Sequence, residues 1–190
     1  MVKLYIPVIL GTVRKGRFSE FAAALVHQAL RSVSEVETKL IDIRELPFDF
    51  ADEGESQKDE NFSEEMSRAD GYVIVTPEYN RSYPGSLKHA LDTNYKEYRY
   101  KPAGLCGVSS GKVGGARAIN ALLPVLKIYG MYVIRPEIYF ALIQEAYDSK
   151  GNAVDPELIE GYKKQIPAFI SELLSVAGQM KALRTNLKSK

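Results

Sequence analysis

The sequence predicts an α/β fold: one domain whose parallel sheet is covered by helices on both faces. Three observations predict it. Strand-like and helix-like runs alternate along the chain. The run Gly71-Tyr-Val-Ile-Val75 is continuously apolar, as suits a strand buried on both faces. It feeds directly into the polar loop Thr76-Pro-Glu-Tyr-Asn80, which turns at Pro84-Gly85 into a helix. A loop placed this way lies at the carboxyl edge of the sheet, where open α/β folds bind their ligands.

The elements follow in order. Leu4 to Leu10 is a first strand, and Phe18 to Val33 is helical, with Phe21, Leu25, Ala29 and Val33 on one face. Glu37 to Ile43 alternates in the manner of a strand nearer the sheet edge. Glu60 to Ala69 reads as a short helix, Gly71 to Val75 as the central strand and Pro84 to Asn94 as a helix. Ala103 to Val108 is a fourth strand, Gly115 to Tyr129 a helix and Tyr132 to Ile138 a fifth strand. A long last helix runs from Pro156 to about Met180, with a bend expected near Pro167. The acidic stretch Leu46 to Asn61 and the polar stretch Gln144 to Asp155 read as loops, and Lys181 to Lys190 as a basic frayed helix end or disordered tail outside the domain of residues 1–180.

Composition narrows the function. A chain of 190 residues suits one domain, which at that size buries roughly 70% of its unfolded surface. A net charge of +1 gives no global field favouring nucleic acid or an anionic membrane. The one cysteine, Cys106, excludes an intramolecular disulfide and fits a reducing compartment. Arg14, Lys15 and Arg17 interrupt the apolar start before any cleavage site, and no apolar run approaches the ~20 residues needed to span a bilayer. A cytoplasmic location is expected.

Three loops carry the chemistry. The first, Gly11 to Ser19, joins a strand to a helix, whose N-terminus offers unpaired N–H groups and the positive end of a dipole. Thr12 and Ser19 add hydroxyls, and Arg14, Lys15 and Arg17 add charge, so the loop has the makings of a phosphate cradle. It is not a Walker A loop, because Arg17 and Phe18 stand where Lys and Ser or Thr are required. Val13 in place of the second glycine removes the dinucleotide pattern as well. In the second loop, Glu78, Tyr79 and Asn80 present backbone groups and a ring suited to the polar edge of a flat heterocycle. The third, Ser109 to Ala116, holds three glycines that let the main chain approach a planar ligand.

Together these stretches resemble the NADPH-dependent FMN reductase family, which has the flavodoxin-like fold and includes azo-dye, quinone and chromate reductases. The resemblance rests on Leu10 to Ser19, Asp70 to Asn80, Pro84 to Asp92 and Gly114 to Ala118. It implies a three-layer sandwich with a five-stranded parallel sheet in the order 2-1-3-4-5, and FMN at the switch point between strands one and three. By the same resemblance, Thr12, Arg14, Arg17, Phe18 and Ser19 hold the FMN phosphate. Pro77, Glu78, Tyr79 and Asn80 line the isoalloxazine ring, with Ser109, Ser110 and Gly111 approaching from the third loop. The chain departs from the family where Ser110-Gly111 replace a common Gly-Gly, and where Thr93 to Tyr98 holds tyrosines in place of a common Trp.

The implied activity is a ping-pong transfer of hydride from NADPH or NADH to FMN, and then of electrons to a free flavin, quinone, azo compound or similar small-molecule acceptor. No catalytic acid or base and no metal is expected: His27 and His89 fall on helices and Cys106 inside an apolar strand. Arg14, Lys15, Arg81 and Lys112 are candidates to meet a 2′-phosphate. A homodimer or homotetramer is implied, and Tyr95, Tyr98 and Tyr100 suit either its interface or a cap on the local core. The competing readings are a flavodoxin-type electron carrier, disfavoured by the near-neutral charge, and a non-enzymatic flavin-binding module that regulates a partner.

Overall fold

The computed structural model describes residues 3–47 and 58–188. Most of the acidic loop expected after Leu46 lies outside the described residues. Five strand positions form the sheet, three of them in two short pieces: β1 (Leu4–Tyr5 and Val8–Leu10), β2 (Val36–Glu37 and Leu40–Asp42), β3 (Tyr72–Pro77), β4 (Pro102–Val108) and β5 (Tyr132–Val133 and Ile138–Phe140). The order across the sheet is β2-β1-β3-β4-β5, and every pairing is parallel.

The breaks have a chemical origin. Pro7 has no N–H to give, so toward β3 it takes part only as an acceptor, its carbonyl receiving the Val73 N–H. The opposite ladder is uninterrupted. The N–H groups of Leu4, Ile6 and Val8 donate in turn to the carbonyls of Glu35, Glu37 and Lys39. The gap in β5 contains Pro136. Ile43, expected at the end of β2, opens a 3-10 turn (Ile43–Glu45) instead, where the Asp42 side chain accepts from the Arg44 N–H.

Among the described residues six α-helices cover the sheet: α1 (Ser19–Arg31), α2 (Glu60–Arg68), α3 (Gly85–Asp92), α4 (Ala116–Ile128), the four-residue α5 (Ile143–Ala146) and α6 (Pro156–Lys188). One apolar core lies between the sheet and α1 with α6, built on Val8, Val73, Cys106, Val26, Leu30, Phe169 and Leu173. The other lies under α2, α3 and α4, around Ile9, Ile74, Leu105, Met66, Leu87, Leu91, Ile119 and Leu122. On α1 the buried stripe is Ala22, Ala23, Val26 and Leu30. The stripe singled out from the sequence, Phe21, Leu25, Ala29 and Val33, flanks it and is only partly buried. Small alanines on the buried face let the helix axis sit close to the sheet, so the larger side chains take the flanks.

Two further expectations are sharpened by the structure. The segment read as a frayed helix end or disordered tail continues α6 as far as Lys188, and Pro167 lies inside that helix. Ion pairs explain the extension: Lys181 Nζ and Arg184 Nη2 each lie 2.8 Å from a carboxylate oxygen of Asp70, which is 5% exposed at the start of β3. Asp70 also accepts from the Tyr5 N–H, and Arg184 donates to the Tyr100 carbonyl. The second concerns Tyr98, for which the sequence allows either an interface or a place capping the local core. It is fully buried, with its hydroxyl donating to the Leu91 carbonyl, whereas Tyr95 is 57% exposed.

Candidate functional site

Because the strands are parallel, the segments after β1, β3, β4 and β5 all emerge at one edge. They enclose an open cleft of about 220 Å³. The first loop contributes Arg14, Lys15, Gly16, Arg17, Phe18 and Ser19, the second Pro77, Glu78 and Tyr79, and the third Ser109 and Ser110. Thr12, Asn80 and Gly111 do not line it.

The first loop is braced from behind. Arg17 is almost wholly buried, and its guanidinium donates to both carboxylate oxygens of Asp42 and to the Thr12 carbonyl. Only its Nε lacks a hydrogen-bond partner among the described residues. Burial works to raise the Asp42 pKa, but the bonds from Arg17 and Arg44 prevail and hold it down at about 2. Most of the Arg17 charge is therefore spent on shaping the loop.

At the start of α1 the arrangement is different. No side chain caps the helix, so its first-turn N–H groups keep the positive end of the dipole open. Ser19, 2% exposed, places its Oγ there with no hydrogen-bond partner among the described residues. A buried hydroxyl without a partner is costly, and an anion at the helix end satisfies both it and the free N–H groups. Exposed Arg14 and Lys15 stand on the same loop.

Tyr79 joins the first two loops. Its hydroxyl lies 2.9 Å from Thr12 Oγ1, and the Arg14 guanidinium stands over its ring at 5.6 Å from the centroid. Thr12 Oγ1 also accepts from the Arg14 N–H, so it serves loop structure rather than the cleft surface. The Glu78 N–H donates to the Val108 carbonyl, and its carboxylate accepts from both the backbone and the guanidinium of Arg117, at 3.3 and 3.1 Å. Asn80 and Gly111 are exposed beyond the lining.

The third loop is held tightly against β4. A Cβ on Gly115 would lie 2.4 Å from the Val108 N, at a φ of +84° that side chains rarely adopt. The Ser109 carbonyl accepts from the Ile143 N–H, and the Ser109 N–H donates to the Phe140 carbonyl, so the end of β5 supports this loop.

The sequence reading missed several residues. Gln144 and Ile143 line the cleft from α5, although any segment after β5 of a parallel sheet reaches that same edge, so topology alone pointed there. Asp42 and Arg117 act on the loops from positions distant in sequence, and no local signal marks them. Among the described residues no cluster of His, Cys, Asp or Glu could hold a metal ion, and no helix is long and apolar enough to cross a membrane.

A parallel five-position sheet with an uncapped helix start and an open cleft beside the β1–β3 switch point defines a flavodoxin-like α/β protein. The chain belongs to the NADPH-dependent FMN reductase family, whose model matches residues 4–145. It is 33% identical over 177 residues to a quinone reductase of Escherichia coli, covering 88% of this chain and 94% of that one. To an NAD(P)H-dependent FMN reductase of Pseudomonas aeruginosa it is 30% identical over 170 residues, covering 85% and 90%. Among solved structures, the flavoenzyme NAD(P)H:(acceptor) oxidoreductase FerB from Paracoccus denitrificans superposes with a TM-score of 0.70 at 29% identity, covering 90% of this chain and 98% of that one.

Proposed function

We propose that this chain is an NAD(P)H-dependent FMN reductase that works by a ping-pong cycle and delivers electrons to quinone-like acceptors. Family membership supports FMN and NAD(P)H as its cofactors. The similar proteins from E. coli and from a Burkholderia species, named as a quinone reductase and a 2-hydroxy-1,4-benzoquinone reductase, support the acceptor class. When bound, FMN supplies the redox chemistry, taking a hydride from the nicotinamide and giving two electrons to the acceptor.

The observation that carries the reading is Ser19 Oγ, buried and unpartnered at the uncapped start of α1. There Ser19, Arg14 and the first-turn N–H groups receive the FMN phosphate, beside Phe18. Thr12 and Arg17 hold the loop in shape behind them. Pro77, Glu78 and Tyr79 flank the ring from one side and Ser109 and Ser110 from another, with Asn80 and Gly111 at the outer margin. No side chain is required as an acid or base. Cys106 is fully buried, and burial pushes its thiol well above the ordinary range, as suits an inert core residue in a reducing cytoplasm.

Self-association through the face bearing Tyr95 and Ile128 is part of the same proposal. These side chains are 57% and 69% exposed and flank an apolar hollow with Pro124 and Val125. A homodimer or homotetramer buries that face.

Flavin titration of the purified protein, followed by steady-state NAD(P)H oxidation with a benzoquinone, tests the reading. Stoichiometric FMN uptake and parallel double-reciprocal lines are expected. Tight flavin without turnover would identify a carrier or regulatory binder instead, and absence of flavin uptake by folded protein would end the assignment.

A further inference from the structure

The tip of the second loop is a two-residue turn built against local preference. Tyr79 and Ser82 exchange both backbone hydrogen bonds, the Tyr79 N–H to the Ser82 carbonyl and the reverse, at 2.8 and 3.0 Å. The residues between them, Asn80 and Arg81, have φ of +50° and +67°. Positive φ at both central positions is the pattern of a type I′ turn, for which Asn-Gly is the favoured pair. Asn80 suits its place. Arg81 occupies the position where glycine carries no penalty and an ordinary side chain is strained.

Nothing within the described residues compensates Arg81 for that conformation. The residue is exposed, and its guanidinium makes no hydrogen bond, ion pair or ring contact among them. A strained cation with no partner among the described residues, two residues beyond the cleft wall formed by Tyr79, is best accounted for by a partner outside the chain. The nearest acid in sequence cannot serve, because the Glu78 carboxylate is already bound to Arg117. The other charges that the first and third loops bring to this edge are positive and exposed: Arg14, Lys15 and Lys112. The rim therefore offers an anion several positive charges, of which Arg81 is the one held at a conformational cost.

We propose that Arg81 is a substrate-binding residue that grips a phosphate group of the nicotinamide dinucleotide as it docks over the cleft. The proposal rests on the reductase reading given above and adds the residue that recognises the hydride donor. A guanidinium bonds phosphate through paired N–H donors, and such charge-assisted bonds are among the strongest a surface side chain makes.

The test is the Arg81→Gly variant of the full chain, with Arg81→Lys beside it. Glycine removes both the cation and the strain. The melting temperature is expected to rise by roughly 2–4 °C, FMN content to stay that of the parent, and KM for the dinucleotide to rise about tenfold or more. Lysine keeps the charge and restores part of the affinity. A rise in KM for NADPH alone places the contact at the 2′-phosphate; an equal rise for NADPH and NADH places it at the pyrophosphate shared by both. KM values within twofold of the parent, a lowered melting temperature, or an altered subunit number for Arg81→Gly would each overturn the proposal. Failure of the parent protein to bind FMN or oxidise NAD(P)H would instead strike the reductase reading, so the two failures are told apart.

Discussion

The Tyr79 hydroxyl and Thr12 Oγ1, 2.9 Å apart, tie the loop after β3 to the loop after β1 although 67 residues separate them in sequence. This bond joins two of the loops around the cleft, and so links the phosphate end of the proposed flavin site to its ring end.

That coupling is measurable. Tyr79→Phe and Thr12→Val each remove one partner, and each is expected to weaken FMN binding several-fold. If the bond is the reason, the double variant will be little worse than either single one, with a coupling energy of about 1 kcal/mol. Additive losses in a flavin titration would mean that the two residues act separately.

Ser19→Ala separates binding from stability. The apo protein loses no hydrogen bond among the described residues and sheds a buried, unpartnered hydroxyl, so thermal stability should hold or rise slightly. FMN affinity should fall about five- to tenfold, the loss of one hydrogen bond to a charged phosphate. A drop in melting temperature with unchanged flavin affinity would make Ser19 a packing residue only.

Asp42 sets an acid limit on the first loop. Its pKa is held down to about 2 in the folded chain, from an ordinary 3.8. A depressed carboxylate contributes stability that is complete above the unfolded value and is lost as pH falls through the folded one, between about 4 and 2. With its side chain 19% exposed, the contribution is roughly 1–2 kcal/mol after allowance for solvent screening. Asp42→Asn should remove that amount near neutrality and flatten the acid limb of the stability curve. An unaltered acid limb would show that the Arg17 pair does not support the loop.

Arg184→Ala tests the base of the sheet. It leaves the buried Asp70 with Lys181 and the Tyr5 N–H alone, at an expected cost of about 2–4 kcal/mol in chemical denaturation. Arg184 lies at the opposite edge from the cleft, so flavin content per folded molecule should not change. A variant as stable as the parent would indicate that the last turns of α6 are not anchored by this pair.

Much of this was legible in the chain. Continuous apolar runs such as Tyr72 to Val75 mark strands covered on both faces, and the turn chemistry after them marks the ligand edge. Periodicity failed where neighbours decide. It put Phe21 on the face of α1 that Ala22 and Val26 share with the sheet, and it could not tell that Tyr98 turns inward while Tyr95 does not. The roles of Thr12 and Arg17 depend on Tyr79 and Asp42, partners distant in sequence, so composition revealed a basic loop but not which charges were already spent. The last helix was cut short for the same reason, since Lys181 and Arg184 look like solvated charges until Asp70 is placed opposite them.

The clasp of α6 on Asp70 divides labour along the strand direction. Rigidity is secured at the end where no chemistry happens, by groups that touch none of the loops after β1, β3 and β4. The mouth can therefore accept exchanged side chains, new acceptors or a different hydride donor without unravelling the frame, which makes this scaffold a forgiving starting point for retargeted reductases.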